Sequence, residues 1–482
     1  REYSNILGRI NNNITGSSTF VDYCYSNITS SVEEVDGPLY SSILGGSSNI
    51  ISGSITGSVI VGGSNNRAYG NYNVVGGYSN IICSNSATIT GGNSNTVSGT
   101  LSSIGGGSCN LILGTRSFIG AGVTNKITGS QASIVGGACN HVHNGSLHFI
   151  GGGFQNCITG SDLSTIAGGS GNCTTGRYDF IGGGIGNKIS GSSHVCYSTI
   201  AGGCENRICS DNAFIGGGRQ NRVDGDYSSV VGGRLNCATA PCAFIGGGCN
   251  NSNSGYLGTI VGGDNNSNSG YASFLGAGRT NTVSGVYSSL AGGKNNTVSG
   301  YYSSIGGGIT NTLSAHCTFI GGGRQNCITG ALTSIVGGTL NTGSGACSGI
   351  LGGKNNYVNH ANSMIIGSDL TSDKACYTFM NNLDVEGTVS SSIFSGSYVG
   401  DGSGLTNIPA GAAGSNTQVQ YNNSGVLGAS SNFTYDGTTL DLTYTGTGDL
   451  LKLTSTDAGA TSAPDLTFCR NSASPADNDT LG

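Results

Sequence analysis

Few residues of this chain could do chemistry, and their spacing says what that chemistry would be. His141-Val142-His143 sets two imidazoles two residues apart. Alternate residues of a strand share a face, so both rings would point the same way, and three such pairs on a threefold axis could hold an octahedral metal. A single pair, with His148 only loosely nearby, reads first as solvent-facing imidazole; one metal per three chains by elemental analysis would argue for the site. The 17 cysteines include no C-x-x-C pair. Cys157 and Cys173 fall at equivalent places in successive stretches, about 5 Å apart if those stretches are parallel rungs, which is within disulfide reach. The odd total and irregular placement instead read as free thiols rather than a disulfide framework. The Gly-Gly-Gly runs lack the Lys-Ser/Thr and the helix start of a phosphate loop. Glu33, Glu34 and Asp36 form the one acidic cluster, which suits a solvated loop better than the paired carboxylates of glycoside cleavage. The expectation is a protein that is not an enzyme, with no catalytic residue, no metal and no cofactor.

What positions these residues is a repeat. One Asn recurs in each turn, beginning at Asn12, Asn27 and Asn49 and ending at Asn356. From Asn206 through Asn221, Asn236, Asn251 and Asn266 to Asn356, every step is fifteen residues, and the series makes 23 turns. Six residues before each Asn stands a branched aliphatic, as in Ile215, Ile245 and Ile260, and two residues after that aliphatic, in all but one turn, Gly or Ala, as in Gly217 and Ala277. On a strand both would face inward, the aliphatic stacking rung on rung and the small residue leaving room for the opposite wall. After the Asn, Val223 is expected inward and Arg222 and Asp224 outward. Gly-x-x-Asn and Gly-x-x-Ser would make the corners, since Gly and Asn tolerate positive φ, and stacked Asn side chains can bond along the axis. Corner tyrosines (Tyr178, Tyr227, Tyr256, Tyr271, Tyr287, Tyr301) read as corner packing, with glycan contact as the alternative. At ~4.8 Å per rung, the repeat predicts a parallel β-solenoid on the order of 110 Å long.

The outward face of the first strand is unusual. Phe118, Phe149, Phe180, Phe214, Phe244, Phe274 and Phe319 lie seven residues before their Asn, each with Gly two residues further on. In most of the turns between, Ser or Thr takes the first place and Val or Ala the second, as in Ser229 with Val231. An apolar face of this kind calls for cover. A copy of the same strand from another chain would supply it, most simply in a homotrimer; a monomeric solenoid of thirty residues per turn is the alternative.

Composition agrees with a fibre. Of 482 residues 89 are Gly, five are Pro, and 9% are charged, against about 7% Gly and about 25% charged in ordinary domains. With 36% apolar residues and a net charge of −6, the chain fits neither disorder nor collagen. The absence of a basic cluster argues against nucleic acid, and no apolar run is long enough to span a membrane as a helix. The chain enters the repeat at once and reads as a piece of something longer. Four regions are expected: a repeat shaft at 1–370, neck strands at 371–399, a Gly-rich linker at 400–415, and short β segments at 416–482, with turn signals such as Tyr435-Asp436-Gly437-Thr438.

Two resemblances add to this reading. The turn Ser-x-Ile-x-Gly-Gly-x-x-Asn-x-Val-x-Gly, over roughly residues 1–370, resembles the head repeat of YadA-type trimeric adhesins, which implies a trimeric parallel β-roll. The segment Gly400-Asp401-Gly402-Ser403-Gly404-Leu405-Thr406-Asn407-Ile408-Pro409 is similar to a linker of tailed-phage tail fibres. Asn416-Thr417-Gln418-Val419-Gln420-Tyr421-Asn422-Asn423-Ser424-Gly425 and Pro464-Asp465-Leu466-Thr467 through Asn478-Asp479 are similar to further segments of such fibres. The resemblance implies a virion shaft that presents a host-recognition tip, with other fibre or baseplate proteins as neighbours and host surface glycan or protein as the target. A bacterial surface adhesin head is the alternative, and a polysaccharide depolymerase a weaker one.

Overall fold

The computed structural model describes residues 40–382 apart from 53–54, 161 and 191–196, four short strands within residues 5–27, and residues 418–443 apart from 424–425 and 437. The acidic cluster, the insertion around His194, the linker and the segments after residue 443 lie outside the described residues.

Two kinds of two-residue strand alternate along the chain, as in Phe214–Ile215, Arg222–Val223, Ser229–Val230 and Cys237–Ala238. Each kind stacks only on itself, in parallel. Phe214 pairs with Ser229 and Ser229 with Phe244 in the first sheet; Arg222 pairs with Cys237 and Cys237 with Ser252 in the second. Neighbouring rungs are therefore fifteen residues apart, which establishes the parallel β-solenoid and excludes the thirty-residue coil. Among the described residues there is no helix.

Each coil is two half-turns built to one plan: a residue in the left-handed region, a buried polar residue, an outward residue, then a buried aliphatic. Gln220 (φ 56°), Asn221, Arg222 and Val223 make one; Tyr227 (φ 59°), Ser228, Ser229 and Val230 make the next. Left-handed backbone costs a non-Gly residue roughly 1–2 kcal/mol. The cost is offset because its N–H is bonded to a neighbouring coil: Gln220 donates to Cys204 O at 2.9 Å and Tyr227 to Asp211 O at 3.0 Å. The ladder Asn itself is not in this conformation. The expected tolerance of Asn for positive φ is thus not what places it; its side-chain bonds are.

Ile215, Val230, Ile245, Ile260 and Leu275 are fully buried, as is the facing column of Val223, Ala238 and Val283. The small residue two after the aliphatic does not share that interior. A Cβ added to Gly217, Gly232 or Gly247 would meet nothing within 4 Å, and Ala277 is only partly covered. The inward orientation expected for this position fails because the strand ends after two residues, so its alternation does not persist into the corner. The corner glycine one residue on is the constrained one: Gly233 has φ +87°, and a Cβ there would run into the Gly248 carbonyl.

At the N-terminal end the stacking order departs from the chain order. Asn5–Ile6 pairs with both Phe20–Val21 and Ser42–Ile43, and Asn12–Thr15 with both Ser26–Asn27 and Ile50–Ser52. There Asn12 faces Ser26 and Asn13 faces Asn27; from Phe20 to Asn27 the chain is one residue shorter than from Asn5 to Asn13, so the Asn ladder slips. At the other end Thr378–Met380 extends the first sheet by pairing with Met364–Ile366. The chain divides into two compact units at Asp384/Val385. In the second, Gln418–Asn423, Val426–Tyr435 and Leu440–Leu442 form an antiparallel sheet. The Asp436 carboxylate accepts from the Thr438 and Thr439 amides at 2.9 and 2.7 Å, making the turn expected there.

Candidate functional site

The Asn ladder is the most regular polar feature. Asn206, Asn221, Asn236, Asn251 and Asn266 are all buried. Asn236 Nδ2 donates to Gly232 O and to Gly248 O, both at 3.0 Å, and its Oδ1 accepts from the Asn251 amide at 3.0 Å. The next residues repeat this: Asn251 Nδ2 donates to Gly247 O and Gly263 O, and its Oδ1 accepts from the Asn266 amide. One side chain thus satisfies the corner of its own coil and ties it to the next.

The imidazole pair lies on the outer face of the second sheet, on either side of the buried Val142. The rings of His141 and His143 are 3.6 Å apart between centroids. His141 is not a freely solvated ring: its Nε2 is buried without a hydrogen-bond partner. Burial first, then His143 and Lys126, lower its pKa to about 4. An open cleft of about 320 Å³ beside it is lined by Cys109, Lys126, Cys139 and His141. Among the described residues no group of three or more His, Cys, Asp or Glu could hold a metal. His148 does not join the pair, because it is buried in the interior.

That interior position holds a feature with no motif spacing to mark it. Eight residues before the ladder Asn, most coils carry a buried Ser or a small residue, but His148, Ser164 and Asp179 follow one another there in successive coils. A His, a Ser and an Asp in line invite comparison with a nucleophilic triad, but the bonds are different. His148 Nδ1 accepts from the Ser164 amide at 3.2 Å; Ser164 Oγ donates to Gly176 O at 3.1 Å; Asp179 Oδ1 accepts from the Ser198 amide at 3.2 Å. Each side chain caps backbone and none bonds the next. Burial pushes the Asp179 carboxyl up to about 6 against the hydrogen bond from Thr174 Oγ1 at 2.6 Å, and burial lowers the pKa of His148. The signal was legible: both residues break a Ser column. Asn253 and Asn268 similarly replace aliphatics in the facing column, Asn253 reaching Gly258 O at 2.7 Å where that coil lacks the Ser.

Phe118, Phe149, Phe180, Phe214, Phe244, Phe274 and Phe319 project from the first sheet and are 38–44% exposed in the single chain. In six of the seven the ring covers the glycine of its own coil: a Cβ on Gly216 would sit 3.3 Å from Phe214 Cε1, and on Gly321 3.4 Å from Phe319 Cε1. Val135, Val231, Val261 and Val336 stand half-exposed in coils between them. Along one corner Tyr256 stacks on Tyr271 at 5.5 Å, Tyr271 meets Tyr287 edge-on at 5.4 Å and Tyr287 stacks on Tyr302 at 5.2 Å. Tyr178 and Tyr301 likewise meet Tyr197 and His316 at 4.7 and 4.6 Å, whereas Tyr227 stands exposed.

The fold and these surfaces define a parallel β-solenoid repeat protein. No protein-family model matches the chain, and no curated protein is similar to it.

Proposed function

We propose that the chain is the shaft of a homotrimeric fibre, a tail fibre of a tailed phage that holds the host-recognition tip. The observation that carries the trimer is the apolar stripe of Phe and Val on a coil whose interior is already filled by aliphatics. The stripe has no inward place to go, and an exposed apolar surface of this extent marks an interface. Three in-register copies about a threefold axis would bring stripe onto stripe. The interior is given over to packing and to backbone caps, which suits a load-bearing rod without catalysis. The viral assignment rests on the likeness of residues 400–409, 416–425 and 464–479 to tail-fibre segments, and it gives the rod a virion location.

Sedimentation analysis of the purified chain tests the trimer. Three chains per particle are expected, falling to one in Phe214→Ser/Phe244→Ser while the β signal in circular dichroism persists. A wild-type chain that stays monomeric at micromolar concentration overturns the reading. Antibody to the rod should decorate phage tails in electron micrographs; decoration of bacterial surfaces alone would favour the adhesin.

A further inference from the structure

We infer that Cys157 and Cys173 form a redox site, a thiol pair on adjacent rungs that closes to a disulfide and locks two coils together. The two residues are direct partners in the second sheet, and parallel rungs put their Cα atoms about 4.8 Å apart, inside the range disulfides span. Both are half-buried on the outer face and carry free thiols. They are the one pair of cysteines on adjacent rungs among the described residues; Cys109 and Cys139, or Cys317 and Cys347, are two coils apart. The adjacent Cys157 thiol, and Lys188 on the next rung, hold Cys173 below the ordinary thiol range. Cys157, with the neutral His141 on its other side, is pushed upward. The rung order assigns roles as well as partners: Lys188 beside Cys173 favours that thiol as the attacking thiolate and leaves Cys157 as the resolving thiol.

The reaction needs an external disulfide such as oxidised glutathione. The Cys173 thiolate attacks one sulfur of that disulfide, forming a mixed disulfide and releasing one glutathione thiolate. Cys157, losing its proton to solvent, then attacks Cys173 Sγ, closing the Cys157–Cys173 bond and releasing the second glutathione. Two protein thiols are oxidised and one small disulfide is reduced to two thiols. The product is a covalent tie between rungs otherwise held by hydrogen bonds.

The full chain is incubated with oxidised or reduced glutathione, the remaining thiols are alkylated, and the protein is cleaved before Asp162, which lies between the two cysteines. Fragments joined through Cys157 and Cys173 are expected in the oxidised sample and absent in the reduced one. Cys157→Ser should trap glutathione on Cys173, and Cys173→Ser should modify Cys157 on the order of tenfold more slowly. Two results would overturn the proposal: both cysteines alkylated in the oxidised sample while circular dichroism shows an intact fold, or a linkage pattern in which other cysteines pair as readily. Equal trapping rates in the two single variants would overturn the assignment of roles.

Discussion

Asn236→Ala is the sharpest test of the ladder. The substitution removes the donor to the Gly232 and Gly248 carbonyls and the acceptor of the Asn251 amide. The Gly248 carbonyl keeps the Arg234 amide at 2.9 Å, so the groups left short are Gly232 O and Asn251 N–H. At about 1–3 kcal/mol for each of these two deprived groups, the local cost is about 2–6 kcal/mol. Because each coil touches only its neighbours, the loss should stay local, and hydrogen exchange at Asn251 reads it directly. A loss of about 2 kcal/mol speeds exchange about 30-fold. Asn236→Asp separates bonding from shape. Its carboxylate still accepts from Asn251 but turns lone pairs toward two carbonyls, so its folded pKa must rise above the usual value of about 3.9. An acid with a raised folded pKa stabilises fully only below its unfolded pKa, and that stability is lost as pH rises through the folded value. Asn236→Asp should therefore be nearly tolerated in acid and worse than Asn236→Ala at neutral pH. Exchange at Asn251 that changes less than about threefold in Asn236→Ala, or an Asp variant indifferent to pH, would refute the bridging role.

Asp179, pushed up to about 6 by burial, destabilises the fold as pH rises from about 4 through 6; Asp179→Ser should gain up to about 3 kcal/mol at pH 8 and nothing below about pH 4, measured by urea unfolding at both. The lowered pKa of His148 has the opposite consequence, a loss of stability as pH falls through the ordinary His range, and His148→Ser should flatten that acid limb in the same assay. Gly233→Ala should cost about 2–4 kcal/mol, since its φ of +87° and the Gly248 carbonyl leave no room for a Cβ; differential exchange should confine the damage to the adjoining coils. Ile245→Ala should cost about 2–5 kcal/mol in any assembly state, whereas Phe244→Ala should cost under about 1 kcal/mol in an isolated chain and far more in a trimer, by thermal melts of each form.

The period and the aliphatic column were legible because each coil repeats its burial at the same chain position, so Ile215, Val230 and Ile245 mark the interior by sequence alone. The corners were less so. Gln220, Leu235 and Thr280 all take left-handed backbone, yet none carries the compositional mark of that conformation, because a bond to the neighbouring coil holds it there rather than its own side chain. Gly217 departs from its expected orientation for a related reason: a period-two rule needs a strand longer than two residues. The outward face shows where local pattern stops being enough. Phe over Gly looked in sequence like two halves of an interface between chains, but the Phe214 ring already covers Gly216 within one coil. The pairing is thus partly satisfied without a partner. The demand for one falls more heavily on the remaining Phe surface and on Val231, Val261 and Val336, which stand half-exposed with no ring of their own coil over them. Substitutions at these valines, which touch little inside a single chain, should therefore separate assembly from folding more cleanly than substitutions at the phenylalanines.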